Sequence, residues 1–357
     1  MGKEFINTDT VSLDEENDSL IIIDQTKLPG ETVLLSLTDR DEIYDAIKTL
    51  KVRGAPAIGV SAAIGIYILT KRSGIENEDE LKVFFLETKE YLASSRPTAV
   101  NLFWALDRME SAFVSAEGKG CDEIIKRLHD EASSIRDEDI EVCRKIGEYG
   151  LSLIKDGDGI LTHCNAGKLA AVRYGTALAP IYVGREKGYN FRVYTDETRP
   201  LLQGARLSAF EMQSIGADTT VICDNMASQV MKNGWIDAIF TGCDRVAANG
   251  DCCNKIGTSG VAILAKHYGI PFYICAPTST IDINTKSGDD IPIEQRDPNE
   301  VTEMWYKERM APEGVKVYNP AFDFVENDLI TAIVTEYGII KPPFDKAIKD
   351  IFESKKK

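Results

Sequence analysis

The feature that most constrains the fold is a regular alternation in the C-terminal half of the chain. Short runs rich in β-branched and aromatic residues recur there, and they read GILTHC, FRVYTD, TTVICD, DAIFTGCD and PFYICAP. The segments between them have helical spacing, namely Leu169–Gly188, Leu201–Ile215, Ala227–Gly234 and Gly257–Tyr268. Strands that alternate with helices form βαβ units, so this pattern predicts an α/β fold with a Rossmann-like, doubly wound parallel sheet.

The N-terminal part of the chain is organised differently. Residues 20–36 have the pattern of a strand, a turn and a strand, with Pro29-Gly30 as the turn, and amphipathic helical stretches follow. These elements predict a smaller α+β domain. We place it at residues 1–135, ahead of a Rossmann-like C-terminal domain at residues 136–357, because the pattern changes between them.

Composition excludes some classes of partner. The net charge is −16, from 41 basic and 57 acidic residues, which argues against nucleic acid or an anionic membrane as a partner. No apolar run approaches the ~20 residues of a membrane-spanning helix, and the polar, acidic N-terminus is unlike a signal peptide. The eight cysteines then indicate reduced thiols and a cytoplasmic location.

The sequence also predicts no metal and no cofactor. Its three histidines, His129, His163 and His267, are scattered, and no CxxC pair occurs beside the adjacent Cys252-Cys253. Neither the GxGxxG pattern of dinucleotide-binding sites nor the GxxxxGK[ST] pattern of phosphate-binding loops is present.

Polar residues follow each predicted strand. Loops at the carboxyl ends of parallel strands bind ligands in open α/β sheets, and the residues at these ends are Cys164, Asp196, Arg199, Asp224, Asp244, Arg245 and Asn254. Taken singly, each is more simply a cap, an ion pair or a packed cysteine. Their concentration at strand ends favours a functional edge, where Cys164 and Asp244 could flank a substrate and move protons. His163 alternates with Cys164 along a strand, so a Cys–His dyad is disfavoured.

Three cations directly precede predicted helices. They are Arg53, which is followed by Gly54, then Arg96 and Lys255. Backbone N–H groups at a helix start and a guanidinium fork both suit phosphate oxygens. Each cation alone is more often part of a turn or faces solvent, whereas the three together favour an anion site.

Several long motifs, taken in order, resemble the methylthioribose-1-phosphate isomerase family. They include VRGAPAIG, SRPTAVNL, THCNAG, DETRPLLQGARL, GCDRVAANGD, NKIGT and IPIEQRDP, and the resemblance runs from about Leu20 to about Gly338. It implies isomerisation of 5-methylthioribose 1-phosphate to 5-methylthioribulose 1-phosphate in methionine salvage, without metal or nucleotide. It also implies a homodimer.

The resemblance implies roles for particular residues. Asp244 and Cys164 match the catalytic pair, with Asp244 as the proton donor and Cys164 assisting. The substrate-binding residues it implies are Arg53, Gly54, Ala55, Arg96, Gln203, Asn254 and Lys255. A carboxyl group that donates a proton near neutral pH needs a raised pKa, which apolar surroundings can cause.

Lys168 departs from the family pattern, in which a small residue is usual at this position. A lysine close to the substrate could bind an extra anionic group, so isomerases of 5-deoxyribose 1-phosphate or ribose 1,5-bisphosphate stay open as alternatives. An alternative of another class is a non-catalytic regulatory subunit of the translation initiation exchange factor, since such subunits share the fold.

Overall fold

The chain divides into two units in the computed structural model, which describes residues 2–97 and 99–354. The first unit runs to Cys143 and includes Gly167–Gly175, and the second contains Arg144–Ala166 and the chain from Thr176 onward. This division after Cys143 and the predicted boundary after residue 135 both fall inside one long helix, Cys121–Leu151.

A three-stranded antiparallel sheet and six helices form the first unit. Its strands are β1 (Val11–Asp14), β2 (Ser19–Ile23) and β3 (Leu34–Leu37). Its helices are α1 (Gly2–Asn7), α2 (Arg40–Lys48), α3 (Ala55–Arg72), α4 (Glu78–Ala93), α5 (Val100–Ala116) and α6 (Cys121–Leu151), the last of which enters the second unit. Pro29-Gly30 lies between β2 and β3, as the sequence predicted, whereas β1 was not predicted. Helix α3 packs closely on α5, since a Cβ on Gly59 would lie 3.0 Å from the carbonyl oxygen of Asn101.

The second unit contains the large predicted sheet and a smaller one. Its strands are β4 (Gly159–His163), β5 (Arg192–Asp196), β6 (Asp218–Ile222), β7 (Ala238–Thr241), β8 (Arg245–Ala247), β9 (Cys252–Lys255), β10 (Phe272–Cys275), β11 (Ile281–Asp282), β12 (Phe322–Val325), β13 (Ala332–Thr335) and β14 (Gly338–Ile340). The large sheet has the order β14-β13-β10-β7-β4-β5-β6 and is parallel except for the β13–β14 pair. The smaller sheet, β11-β8-β9-β12, was not predicted.

Strand β4 comes first in this unit and lies in the middle of the large sheet. The chain adds β5 and β6 on one side of β4 and then continues with β7 and β10 on the other side. This order confirms the predicted doubly wound α/β class. It also places a topological switch point between β4 and β7, which is where ligands bind in such sheets.

The helices of the second unit are α7 (Ala179–Glu186), α8 (Ala209–Ser214), α9 (Ala227–Lys232), α10 (Thr258–Tyr268), α11 (Asn299–Thr302) and α12 (Phe344–Ser354). Of the helical segments predicted for the second unit, Ala227–Gly234 and Gly257–Tyr268 agree with the structure to within two residues, and Leu201–Ile215 contains a π-helix (Gly204–Ser208) followed directly by an α-helix. The prediction of one helix over Leu169–Gly188 was wrong in its first half, because residues 167–175 belong to the first unit. There Gly175 lies against Gly167 so closely that a Cβ on Gly175 would be 2.1 Å from the carbonyl carbon of Gly167. None of the helices in the described part of the chain is both long and apolar enough to span a membrane.

Asp139 on α6 is a carboxyl group with little access to solvation. Its Oδ2 accepts the N–H of Val172 at 2.7 Å. Loss of solvation raises the pKa of Asp139 from 3.8 to about 7, although the bond from Val172 acts in the opposite sense. Between these two values the folded chain holds a proton that the unfolded chain has released. The contribution of Asp139 to stability therefore falls as the pH rises from about 4 to about 7.

Replacing Asp139 by asparagine is expected to stabilise the protein above neutral pH, since an amide oxygen can accept the same N–H without a charge. The difference in Tm, variant minus wild type, should be near zero at about pH 4 and reach a few degrees at about pH 8. Differential scanning calorimetry across this range measures the difference. A difference that does not depend on pH would contradict this account of Asp139.

Candidate active site

Cys164 and Asp244 leave the large sheet at its switch point. Cys164 directly follows β4, Asp244 follows the adjacent strand β7, and the last residues of these parallel strands, His163 and Thr241, are paired in register. The thiol residue is half-buried and the carboxyl residue is exposed. Cys164 and Asp244, the two catalytic residues that the sequence predicts, therefore follow neighbouring strands at one edge of the sheet.

The turn that carries Cys164 is held from both sides. Cys164 has a φ of 64°, in the left-handed region that residues other than glycine rarely adopt. Its N–H donates to Oγ1 of Thr198 at 2.8 Å, and its carbonyl oxygen accepts from Oγ of Ser208 at 2.7 Å. Backbone strain of this kind is maintained by surrounding contacts and is concentrated at functional sites. Thr198 and Ser208 thus hold the turn at Cys164, which the sequence did not reveal.

Asp244 is supported by the hairpin of β8 and β9. Its N–H donates to the carbonyl oxygen of Cys253 at 2.9 Å. The neighbouring thiol of Cys243 donates to the carbonyl oxygen of Arg245 at 2.9 Å, and burial raises the pKa of that thiol, so it stays neutral. The backbone of Asp244 is therefore fixed while its side chain is exposed to solvent.

His163 forms a buried pair with Asp196. Its Nδ1 lies 3.0 Å from Oδ2 of Asp196, and its Nε2 lies 2.8 Å from the carbonyl oxygen of Ile256. Because a carbonyl oxygen only accepts, Nε2 carries a hydrogen. Burial by itself lowers the pKa of His163, but the hydrogen bond and charge of Asp196 outweigh it and raise that pKa. Both ring nitrogens are engaged, so neither acts as a base toward Cys164.

The sequence placed Asp196 on the functional edge but did not pair it with His163. A signal for the pair was present, since His163 and Asp196 end the neighbouring strands β4 and β5.

One group of side chains has distances that could suit a metal ion. The ligand atoms of His163, Asp196 and Asp224 lie within 4.8 Å of one another. However, the two oxygens of Asp224 accept the N–H groups of Thr198 at 2.7 Å and Arg199 at 2.8 Å, and His163 is engaged as described. The hydrogen bonds therefore account for this cluster as a support of the Cys164 turn.

Three predicted substrate-binding residues lie in the second unit. Gln203 is 7% exposed, and its Oε1 is buried without a hydrogen-bond partner among the described residues. Asn254 is buried and donates from Nδ2 to Oγ1 of Thr258 at 3.1 Å. Lys255 donates to the carbonyl oxygen of Ala321 at 2.9 Å, and no carboxylate in the described ranges pairs with it. A ligand with hydroxyl donors and an anionic group would complement these three residues.

Four predicted substrate-binding residues lie in the first unit. Gly54 precedes α3 with a φ of 90°, and a Cβ there would lie 2.4 Å from Cα of Ala170, so only glycine fits. Ala55 begins α3 and is exposed, which leaves the start of that helix accessible. Arg53 and Arg96 are half-buried, each a few residues before a helix. Arg53, Gly54 and Arg96 have the placement before helices that the sequence predicted.

The side chain of Lys168 binds the backbone of α1 in the first unit. It is 3% exposed, and its Nζ donates to the carbonyl oxygens of Phe5 at 2.7 Å and Ile6 at 3.1 Å. The ammonium also lies 4.6 Å from the centre of the Phe5 ring. These carbonyls belong to the last turn of α1, where a cation is stabilised by the helix dipole. The hypothesis that Lys168 binds an extra anionic group of the substrate is therefore not supported.

Replacing Lys168 by methionine is expected to destabilise the protein by about 2–4 kcal/mol, because two carbonyl groups lose a buried charged donor. The relative activities on sugar phosphates with different 5-substituents should stay unchanged. Thermal denaturation and a comparison of kcat/KM values measure the two effects. A changed ranking of substrates with unchanged stability would restore Lys168 to the substrate site.

Comparisons with known proteins identify the family of this chain. Residues 51–342 match the model of the Initiation factor 2 subunit family. The chain is 62% identical over 345 residues to methylthioribose-1-phosphate isomerase of Symbiobacterium thermophilum, covering 97% of this chain and 96% of that protein. It is 57% identical over 343 residues to 5-deoxyribose 1-phosphate isomerase of Petrotoga mobilis, covering 96% and 99%.

Solved structures show the same fold. The crystal structure of 5-methylthioribose 1-phosphate isomerase from Pyrococcus horikoshii OT3 has a TM-score of 0.94 at 43% identity, covering 99% of this chain and 98% of that chain. The structure of translation initiation factor eIF-2B, subunit delta, from A. fulgidus has a TM-score of 0.89 at 41% identity, covering 96% and 100%. The chain therefore belongs to the Initiation factor 2 subunit family, and within it resembles methylthioribose-1-phosphate isomerases over almost its whole length.

Proposed function

We propose that this chain is an aldose–ketose isomerase that converts 5-methylthioribose 1-phosphate to 5-methylthioribulose 1-phosphate in methionine salvage. The observation that carries the proposal is the placement of Cys164 and Asp244 on adjacent strands at the switch point of the sheet. The similarity to a methylthioribose-1-phosphate isomerase at 62% identity supports the same reaction. From the resemblance we further propose a cytoplasmic homodimer that needs neither metal nor nucleotide.

The reaction needs a proton donor at the ring oxygen of the sugar. A phosphate on the anomeric carbon blocks the spontaneous ring opening of ordinary aldoses. Asp244 protonates the ring oxygen, the bond between that oxygen and C1 breaks, and the phosphate stays attached to C1. The hydrogen on C2 then moves to the electron-deficient C1, and the C2 hydroxyl becomes a carbonyl by releasing its proton to the carboxylate of Asp244. Cys164 stabilises the transition state of this transfer.

The exposure of Asp244 gives the substrate a role in this chemistry. A carboxyl group that donates a proton near neutral pH needs surroundings that raise its pKa. A bound sugar with an apolar 5-substituent displaces water from the carboxyl, and this desolvation raises its pKa. Proton donation by Asp244 therefore depends on substrate binding in this proposal.

The binding residues match a phosphorylated sugar. Lys255 supplies a cation without a paired carboxylate in the described ranges, and the buried Oε1 of Gln203 accepts a sugar hydroxyl. An unsatisfied buried acceptor costs about 1–3 kcal/mol, which a hydroxyl donor recovers. We assign Arg53, Gly54, Ala55, Arg96 and Asn254 to the same substrate on the resemblance.

Two alternatives differ in the 5-substituent. The role of Lys168 in holding α1 removes the observation that favoured ribose 1,5-bisphosphate. 5-Deoxyribose 1-phosphate stays a second candidate, because the relative from Petrotoga mobilis bears that name at 57% identity. Both candidates carry an apolar group at C5, so the same site chemistry serves either one.

A comparison of three substrates tests the proposed function. Purified protein is given the 1-phosphates of 5-methylthioribose, 5-deoxyribose and ribose 5-phosphate, and the ketose product is measured. We expect kcat/KM to be highest for the methylthio compound and lowest for the bisphosphate, by at least about tenfold, because Lys168 is engaged by the carbonyl oxygens of Phe5 and Ile6.

The outcomes separate the functional classes. A preference for 5-deoxyribose 1-phosphate would support the second candidate, and a preference for the bisphosphate would contradict the assignment of Lys168. If the protein turns over none of the three compounds, the hypothesis of a non-catalytic regulatory subunit is favoured.

A further inference from the structure

We propose that His163 is a positioning residue that fixes two parts of the candidate site at once. On one side it holds, through Asp196, the turn that carries Cys164, and on the other side it holds the loop after β9 that follows Asn254 and Lys255. This inference rests on the proposed function, because it assigns Cys164 to catalysis and Lys255 to the phosphate.

The first connection runs through β5. Nδ1 of His163 pairs with Oδ2 of Asp196 at 3.0 Å, and the carbonyl oxygen of Asp196 accepts from Oγ1 of Thr198 at 3.0 Å. The same Oγ1 accepts the N–H of Cys164 at 2.8 Å. Asp224 completes the arrangement, because its Oδ1 accepts the N–H of Thr198 at 2.7 Å. The left-handed turn at Cys164 thus depends on a chain of contacts that begins at the imidazole.

The second connection runs to the loop after β9. Nε2 of His163 donates to the carbonyl oxygen of Ile256 at 2.8 Å, and Ile256 directly follows Lys255. The next residue, Gly257, has a φ of 103°, and a Cβ there would lie 2.8 Å from Cε1 of His163. On its other side the loop is held by Asp323, whose Oδ2 accepts the N–H of Gly257 at 2.8 Å. The imidazole therefore fits against a backbone that only glycine allows.

The burial of this pair indicates that its role is not only to stabilise the fold. His163 is 1% exposed and Asp196 is 0% exposed, and a buried ionisable pair is weak evidence for stability because desolvation offsets the attraction. His163 ends β4, which borders the switch point, and Asp196 ends the neighbouring strand β5, so the pair can act as a rigid support for the site. The acidic groups around the imidazole are Asp196, Asp224 and Asp323.

Two substitutions separate the two connections. In His163→Asn the amide nitrogen lies near the former Nδ1, so contact with Asp196 is retained and the bond to Ile256 is lost. In His163→Gln the amide nitrogen lies near the former Nε2, so the bond to Ile256 is retained and contact with Asp196 is lost.

The two variants should have opposite kinetic effects. We expect His163→Asn to raise KM, and the inhibition constant of inorganic phosphate, by about tenfold with kcat little changed. We expect His163→Gln to lower kcat by about tenfold with KM little changed. His163→Gln should also speed alkylation of Cys164 by iodoacetamide, quantified on its peptide by mass spectrometry, because the turn is loosened.

The control is Thr335→Val. Thr335 is a buried residue of β13, away from these loops, and its hydroxyl donates to the carbonyl oxygen of Gly338. It should lower Tm and leave both kinetic constants unchanged. If neither His163 variant folds, Asp196→Asn keeps the side-chain shape and should behave as His163→Gln does. Parallel losses in kcat and KM, a reversed pattern, or wild-type constants in both variants would each overturn the proposal.

A failure of the proposed function can be distinguished from a failure of the positioning proposal. If the wild-type protein turns over no aldose 1-phosphate, the reaction assignment fails by itself. The positioning proposal is then decided by phosphate-induced stabilisation in thermal denaturation and by the alkylation rate of Cys164. Identical values of both in the wild type and the two variants would overturn it.

Discussion

Replacing Asp244 by asparagine is expected to lower kcat by about 10³-fold, within the range that positioned proton donors contribute. The amide has nearly the same shape as the carboxyl but cannot give a proton to the ring oxygen. The fold should not change, because the backbone N–H of Asp244 stays bonded to the carbonyl oxygen of Cys253 and the side chain is exposed. Substrate affinity should stay within about threefold, since the loss falls on the transition state.

The measurement is steady-state kinetics of ketose formation, with Tm as the check on folding. Asp289→Asn is a matched control, because Asp289 is also an exposed aspartate of the second unit but lies in the loop after β11. We expect the control to retain wild-type kcat. Activity of Asp244→Asn within about threefold of wild type would remove Asp244 from the chemistry.

Replacing Cys164 by serine is expected to lower kcat by about 10²–10³-fold. A hydroxyl is smaller, far less acidic and less polarisable than a thiol, so it assists the hydrogen transfer poorly. Serine should be accommodated without a change of fold, because the turn is held by hydrogen bonds to the backbone of residue 164 from Thr198 and Ser208. The effect should therefore appear in kcat and not in Tm.

Cys223→Ser is the matched control for this substitution. Cys223 follows β6 on the same edge of the sheet and is exposed, but it lies two strands away from β4. We expect it to retain full activity. Equal losses in the two serine variants would indicate a general effect of thiol removal, and full activity in Cys164→Ser would contradict the role of its thiol.

The fold was largely predictable because it depends on local periodicity. Strands β4, β5, β6, β7 and β10 were all recognised as short apolar runs between helical segments. Their doubly wound order follows from the βαβ connections that such alternation requires. The small sheet of β11, β8, β9 and β12 was missed, because its strands are only two to four residues long and carry mixed polar residues.

The candidate site was predicted in part. Cys164 and Asp244 were found because each follows a strand, and the position of a residue after a strand is a local property of the sequence. The supports were not found, since Thr198 and Ser208 contact Cys164 across 34 and 44 residues of sequence. Such contacts depend on how the connecting loops pack, which periodicity does not encode.

The contacts of Lys168 could not be predicted from its local sequence either. Its position four residues after Cys164 suggested a role with the substrate, yet its ammonium binds Phe5, 163 residues earlier in the chain. Proximity in sequence was misleading because residues 167–175 leave the second unit and pack in the first. No local pattern marked that departure.

By itself, the sequence determined the alternation of strands and helices, the residues at the strand ends and the glycine that precedes α3. These features rest on interactions between residues near one another in the chain, with periods of two and about 3.6 residues. Only the tertiary structure decided that His163 pairs with Asp196 and reaches Ile256, and that Lys168 holds α1. The physical reason is that buried polar groups need partners wherever packing supplies them, and packing joins residues that are far apart along the chain.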